Sequence, residues 1–173
     1  MAKLDNSVDK SVDKSVEKTA EKMAEKTKTN KPVYSGNSIM VRPDGPLICK
    51  GEVNITLLNS EGEVILEDKE FALCRCGLSN SKPFCDGTHK KEGVQSPQNF
   101  NDEREEDITA TEGTLTITVK TNAMYSIKGA MTIFSRDGLS KTTRTKAALC
   151  RCGHSEEKPF CDSSHKKCCF TAK

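Results

Sequence analysis

The amino-acid sequence predicts a small β-rich (α+β) protein: two duplicated units packed about a pseudo-two-fold axis, each with short strands and a cysteine-bearing loop leading into a short helix. Three observations carry this reading. Apolar and polar residues alternate along two separate stretches, as in half-buried strands. The order of segments in the first stretch returns in the second. Each copy ends in a tight pattern of cysteine and histidine, and a chain this poor in apolar residues needs such a supplement to a small core.

The strands come first. After Pro32 the texture turns to strand formers, with Ser38-Ile39-Met40-Val41 and then Leu47 through Leu58. Within the second run Val53, Ile55 and Leu57 alternate with Glu52, Asn54 and Thr56. Asp44-Gly45-Pro46 is a turn between the runs, and Ser60-Glu61-Gly62-Glu63 reads as a hairpin turn. Downstream, Leu115, Ile117 and Val119 alternate with Thr114, Thr116 and Thr118, residues 124–134 follow, and Arg136-Asp137-Gly138 takes the place of Glu61-Gly62. The strands align at an offset of 78 residues and the cysteine motifs at 76, so two residues are lost between Gly129 and Gly138.

This gives four segments: a charged tail over 1–36, a first unit over 37–95, an acidic linker over 96–110 and a second unit over 111–173. The tail carries five tetrads from Ser7 to Lys26 (SVDK, SVDK, SVEK, TAEK, MAEK). A period of four drifts around a helix, and like charges recur at i,i+4, so the residues leave open a solvated tail or a weak docking helix. Residues 1–31 hold eight Lys and six Asp/Glu, which accounts for the whole net charge of +2. The balanced body gives no drive toward nucleic acid. No apolar run approaches the length of a membrane span or a secretory signal.

Nine cysteines are an odd count, and six of them sit in two copies of one pattern, which reads as metal ligation in a reducing compartment. We expect the cytoplasm, with the mitochondrial matrix as the alternative. The copies read Cys74-Arg-Cys76-Gly-Leu-Ser-Asn-Ser-Lys-Pro83-Phe-Cys85-Asp86-Gly87-Thr88-His89 and Cys150-Arg-Cys152-Gly-His-Ser-Glu-Glu-Lys-Pro159-Phe-Cys161-Asp162-Ser163-Ser164-His165. Three thiolates and one imidazole suit zinc or an iron–sulfur cluster. A single residue between Cys74 and Cys76 is tighter than the usual zinc-finger spacing. A two-iron cluster accepts Cys74 and Cys76 on one iron and Cys85 with His89 on the other. The x3 spacing suggests that Cys85 and His89 project from one helical face, with Asp86 or Asp162 in the first turn.

These motifs resemble the signature of the CDGSH iron–sulfur domain family, also called NEET proteins, almost residue for residue. Two copies resemble its monomeric tandem-motif subclass, which includes the mitochondrial inner NEET protein and prokaryotic relatives. The resemblance covers about residues 37–170. It implies two [2Fe–2S] clusters, held by Cys74, Cys76, Cys85 and His89 and by Cys150, Cys152, Cys161 and His165, and a role in electron transfer, cluster transfer or redox sensing. The partner is then a redox protein or an apo iron–sulfur acceptor. A zinc-stabilised interaction module is the alternative. No nucleophile–base pair or phosphate loop marks an enzyme.

The second copy departs from the pattern at Ser163, where a glycine is usual. If that position is left-handed, serine strains the second loop. One histidine ligand should place the potential at about −100 to +100 mV. Protonation of imidazole competes with ligation, so the clusters should become labile below about pH 6.5. Several other residues are open between a role and none. Arg75 and Arg151 either raise the potential or are exposed turn residues. Lys82, Lys90, Lys91, Lys158, Lys166 and Lys167 either steer a partner or are solvated. His154, Cys168 and Cys169 lie beside the second site, and Cys49 reads as a buried strand residue.

Overall fold

The structure is a computed structural model and describes residues 34–173. The tetrad repeats lie outside the described residues. Six strands form one sheet: β1 (Ser38–Val41), β2 (Leu47–Leu58), β3 (Val64–Leu73), β4 (Thr116–Val119), β5 (Tyr125–Ser135) and β6 (Lys141–Leu149). Two single-turn helices, α1 (Thr88–Lys91) and α2 (Ser164–Lys167), follow β3 and β6.

The two halves are interleaved. β1 pairs antiparallel with β2 and parallel with β5, while β4 pairs antiparallel with β5 and parallel with β2. These four strands therefore close a ring, flanked by β3 on β2 and β6 on β5. Exchanging the halves leaves this pairing pattern unchanged, which bears out the duplication and its pseudo-two-fold relation. Closure pairs the edges of β1 and β4 that a three-stranded unit would expose on its own, and leaves β3 and β6 as the outer strands.

Strand periodicity explains the core. Ile39, Val41, Leu47, Ile55, Leu57, Ile117, Ile127 and Ile133 are fully or almost fully buried in one cluster, and on each side of the strand bulges the buried residues fall at alternate positions. Val53 departs from this pattern, being 49% exposed. The cause is a bulge: Lys50 and Ile55 oppose Glu70 and Asp68, so Val53 lies in residues that have no partner on β3. In the second half Lys128 and Met131 oppose Lys146 and Arg144. That bulge is two residues shorter, and it accounts for the two residues lost after Gly129.

Residues 96–110 join the halves and also pack along β6. Asp102 forms a buried ion pair with Arg144 and accepts from Thr142 Oγ1 at 2.7 Å. Phe100 meets Phe160 edge-on at 5.6 Å, and Arg144 lies 4.5 Å over the Phe160 ring. In the first half Phe71 packs edge-on against Phe84 at 6.4 Å. The position of Phe71 is Ala147 in the second half, and the connecting segment supplies the missing aromatic from outside the repeat. Residues 34–36 pack as well, with Tyr34 against Phe134 at 4.5 Å and Ser35 O accepting from Thr111 Oγ1.

Candidate metal centres

Each hairpin delivers its motif in the same way. Cys74 follows directly on β3, and its N–H donates to Pro83 O at 2.8 Å. Cys85 N–H returns to Ala72 O at 3.0 Å, so the loop between these cysteines is closed against the strand end. Ser79 Oγ donates to Phe84 O at 2.7 Å and accepts from Ser81 N–H at 3.0 Å. Asp86 accepts from Asn80 N–H at 2.7 Å and from Thr88 N–H at 3.0 Å, which ties the loop to the start of α1. The second loop repeats these bonds: Cys150 to Pro159, Cys161 to Ala148, Ser155 to Phe160, and Asp162 to Glu156 and Ser164.

One expectation needs correcting. Cys85 and Asp86 precede the helix, because Gly87 turns left-handed at φ 85° and α1 begins at Thr88. Asp86 therefore acts as a side-chain clamp before the helix, not as a first-turn residue. Cys85 and His89 still meet, with Sγ and Nδ1 3.4 Å apart, because the left-handed residue folds the chain back before the single turn. Cys161 and His165 match them at 3.4 Å.

The remaining cysteines also come in pairs. Cys74 and Cys76 sulfurs lie 3.7 Å apart, and Cys150 and Cys152 sulfurs 3.8 Å apart. Two thiolates on one tetrahedral metal at about 2.3 Å should stand about 3.8 Å apart, and a thiolate with an imidazole about 3.6 Å. Each pair therefore fits adjacent corners of one metal ion. Among the described residues no three His, Cys, Asp or Glu side chains are grouped as around a single ion. Each donor set, three thiols and an imidazole, is of the kind that suits zinc or an iron–sulfur cluster. His89 and His165 are 8% and 7% exposed, so water is largely kept from their rings.

Cys74 is pushed down to about 5, first by the hydrogen bond with Cys76, against burial, and further by the N–H groups of Ser79 and Gly77. Cys76 is correspondingly pushed up by the bond with Cys74 and by burial. In the second motif burial pushes Cys152 up to about 12 and also raises Cys161. Ser163 N–H donates to Cys161 Sγ at 3.4 Å.

Arg75 and Arg151 are not exposed turn residues, being only 2% and 1% exposed. Arg75 donates to Gly45 O at 3.1 Å, Pro97 O at 2.8 Å and Arg42 O at 2.7 Å. Arg151 donates to the carbonyls of Lys120, Ala172 and Lys173. Burial disfavours the Arg75 charge, and Cys150 of the other motif, Asp44 and Cys76 offset this. For Arg151 the opposing groups are Tyr125 and Cys74. Each guanidinium thus lies in the field of the other motif's first cysteine. The acceptors are backbone carbonyls, which carry no signature in a sequence.

Lys82 and Lys158 are pinned to Ser79 O and Ser155 O at 2.6 Å, whereas Lys90, Lys91, Lys166 and Lys167 are exposed. His154 is exposed. Cys168 and Cys169 are exposed, and Cys49 is fully buried with its thiol pushed up to about 12 by that burial. Ser163 is left-handed at φ 72°, so the strain anticipated from the sequence is present. Tyr125 was not foreseen as part of a site. Its hydroxyl donates to Cys74 O at 2.8 Å and to Pro83 O at 3.0 Å. The signal that could have found it is the mismatch between the halves, since Leu47 holds the equivalent place.

Two hairpins, each bringing three cysteines and a histidine to one closed loop, define a duplicated small metal-binding protein. The model of the iron-binding zinc finger of CDGSH type matches residues 44–90 and 122–166, together more than half of the chain. The chain belongs to this CDGSH-type iron-binding family and carries its domain twice. No curated protein and no solved structure matches the chain. Among the described residues no helix is long and apolar enough to cross a membrane.

Proposed function

We propose that each motif binds one [2Fe–2S] cluster. Cys74 and Cys76 hold one iron and Cys85 and His89 the other, and Cys150, Cys152, Cys161 and His165 repeat this arrangement. The observation that carries the reading is the pairing of ligands at 3.7 and 3.4 Å in one motif and at 3.8 and 3.4 Å in the other. When bound, the cluster supplies one-electron redox chemistry. The chain contributes ligation, a largely buried imidazole and N–H groups aimed at the sulfurs, which are the protein's levers on potential.

The function is electron transfer, cluster transfer or redox sensing, and the chain is not an enzyme. Its partner is a redox protein or an apo iron–sulfur acceptor. It works as a monomer without nucleic acid, in the cytoplasm or alternatively in the mitochondrial matrix. The placing of six of the nine cysteines in two metal-ligand patterns is what supports a reducing compartment.

Redox titration of wild type and His89→Cys tests the ligand assignment. Thiolate is the stronger donor, so the variant should retain its cluster, titrate at lower potential and release iron more slowly below about pH 6.5. Identical potentials and release rates would refute ligation by His89. Incubation with apo-ferredoxin then separates the roles: a donor loses its visible absorbance to the acceptor, and a carrier keeps it.

A further inference from the structure

Leu47 and Tyr125 hold the same place in the two halves, opposite Leu73 and Leu149 respectively, each the residue before a first cysteine. They do different work. The Tyr125 side chain comes from the second half, is fully buried, and donates to Cys74 O and Pro83 O of the first motif. Cys74 N–H also donates to Pro83 O. The phenol thus closes a three-way junction at the first ligand of the first site. Leu47 has no polar atom with which to return that bond to the second motif. On its other side the Tyr125 ring faces the Arg151 guanidinium at 5.8 Å, and Arg151 stands between Cys150 and Cys152.

A second observation brings the loops together independently. A Cβ built on Gly77 would lie 2.7 Å from Cys152 O, and one built on Gly153 would lie 2.6 Å from Cys76 O. The two loop backbones touch with no room for a methyl group. The Cα atoms of Cys76 and Cys152 are then no more than about 9 Å apart.

We infer that Tyr125 is a positioning residue that mounts the first metal site on the second half of the chain, so that the retention and potential of that site depend on its hydroxyl, while the second site meets only its ring, through Arg151. This rests on the cluster reading above. Pro83 O keeps the Cys74 N–H when the hydroxyl is lost, but the buried Cys74 O loses its donor and has no water as a ready substitute. The hydroxyl dipole also sits on the peptide of a ligating cysteine, within reach of the potential through hydrogen bonding around the ligands.

The test places Tyr125→Phe in two backgrounds of the full chain, Cys161→Ser, which leaves only the first site, and Cys85→Ser, which leaves only the second. Iron and acid-labile sulfide are counted first. Decay of the visible band is then followed under an iron chelator, and the midpoint potential is measured. Tyr125→Phe should speed release from the first site by about five- to tenfold and shift its midpoint, and leave both quantities unchanged at the second. Equal effects at both sites, or none at either, would overturn the inference. If either single-site background fails to fold, Tyr125→Phe alone is used. Release should then show one accelerated and one unchanged phase, and two unchanged or two equally accelerated phases would overturn it. Chains that carry zinc without labile sulfide would instead refute the cluster reading itself.

Discussion

The first and second metal loops share all three cysteines, the histidine and nearly every loop hydrogen bond, yet they are supported differently. The first turns at Gly87, and the second makes the same turn with Ser163. The first is backed by Phe71 from its own hairpin, and the second by Phe100 and the Asp102–Arg144 pair from the connecting segment. Arg75 is anchored by the turn after β1 and by Pro97, whereas Arg151 is anchored in part by Ala172 and Lys173. The difference teaches that duplication preserved the ligand geometry and let the scaffold diverge around it. The two sites should therefore bind the same group with unequal stability.

The buried arginines give the strongest way to break this comparison. Arg75→Ala removes a buried guanidinium that ties three part-buried carbonyls, of Arg42, Gly45 and Pro97, and should cost about 3 kcal/mol in urea unfolding. Arg151→Ala should cost less, because its bond to Ala172 O is long at 3.4 Å and Lys173 is exposed, so water can replace the donor there. Equal losses would mean that the anchors are equivalent.

Breaking the strap comes next. Asp102→Asn removes one member of a buried pair and should cost about 3 kcal/mol. Burial raises the Asp102 carboxyl, but Arg144, Thr142 and the Arg104 N–H outweigh it and hold it below the ordinary carboxylate value. Because the folded value is depressed, the stabilisation is present above the unfolded value of about 3.9 and is lost as pH falls through the folded one. The stability gap between wild type and Asp102→Asn should be constant from pH 7 to about 5 and shrink in stronger acid. A gap that is unchanged at low pH would show that the carboxylate charge is not what Arg144 holds.

The smallest effect sharpens the comparison most cleanly. Ser163→Gly should stabilise the second loop by about 1 kcal/mol, since a left-handed serine carries a cost that glycine does not. Gly87→Ser should destabilise the first loop by the same amount, because a Cβ there meets nothing within 4 Å and only the backbone term changes. Cluster release rates in the two variants read this directly. If exchanging the two residues leaves the order of the two release rates unchanged, Ser163 is not what sets it.

Much of this was legible in the residues. The repeat offset located both motifs, β1 and β2 fell where the two runs of strand formers put them, and the offset mismatch marked the shortened bulge. The ring closure was not legible, because parallel pairing of β1 with β5 joins segments some ninety residues apart and leaves no local signal. Val53 misled because an alternating pattern does not reveal a bulge. Arg75 and Arg151 looked like turn residues because their partners are backbone carbonyls. Tyr125 looked like any strand aromatic until its hydroxyl was seen to cross into the other half. The connecting segment looked merely polar, since Asp102 reads as a surface charge until Arg144 is placed beside it.

The central claim is that each Cys3His motif holds a two-iron cluster, and metal and acid-labile sulfide per chain on freshly purified protein test it most directly. The account predicts about four irons and four sulfides per chain. Stoichiometric zinc with no labile sulfide would contradict it.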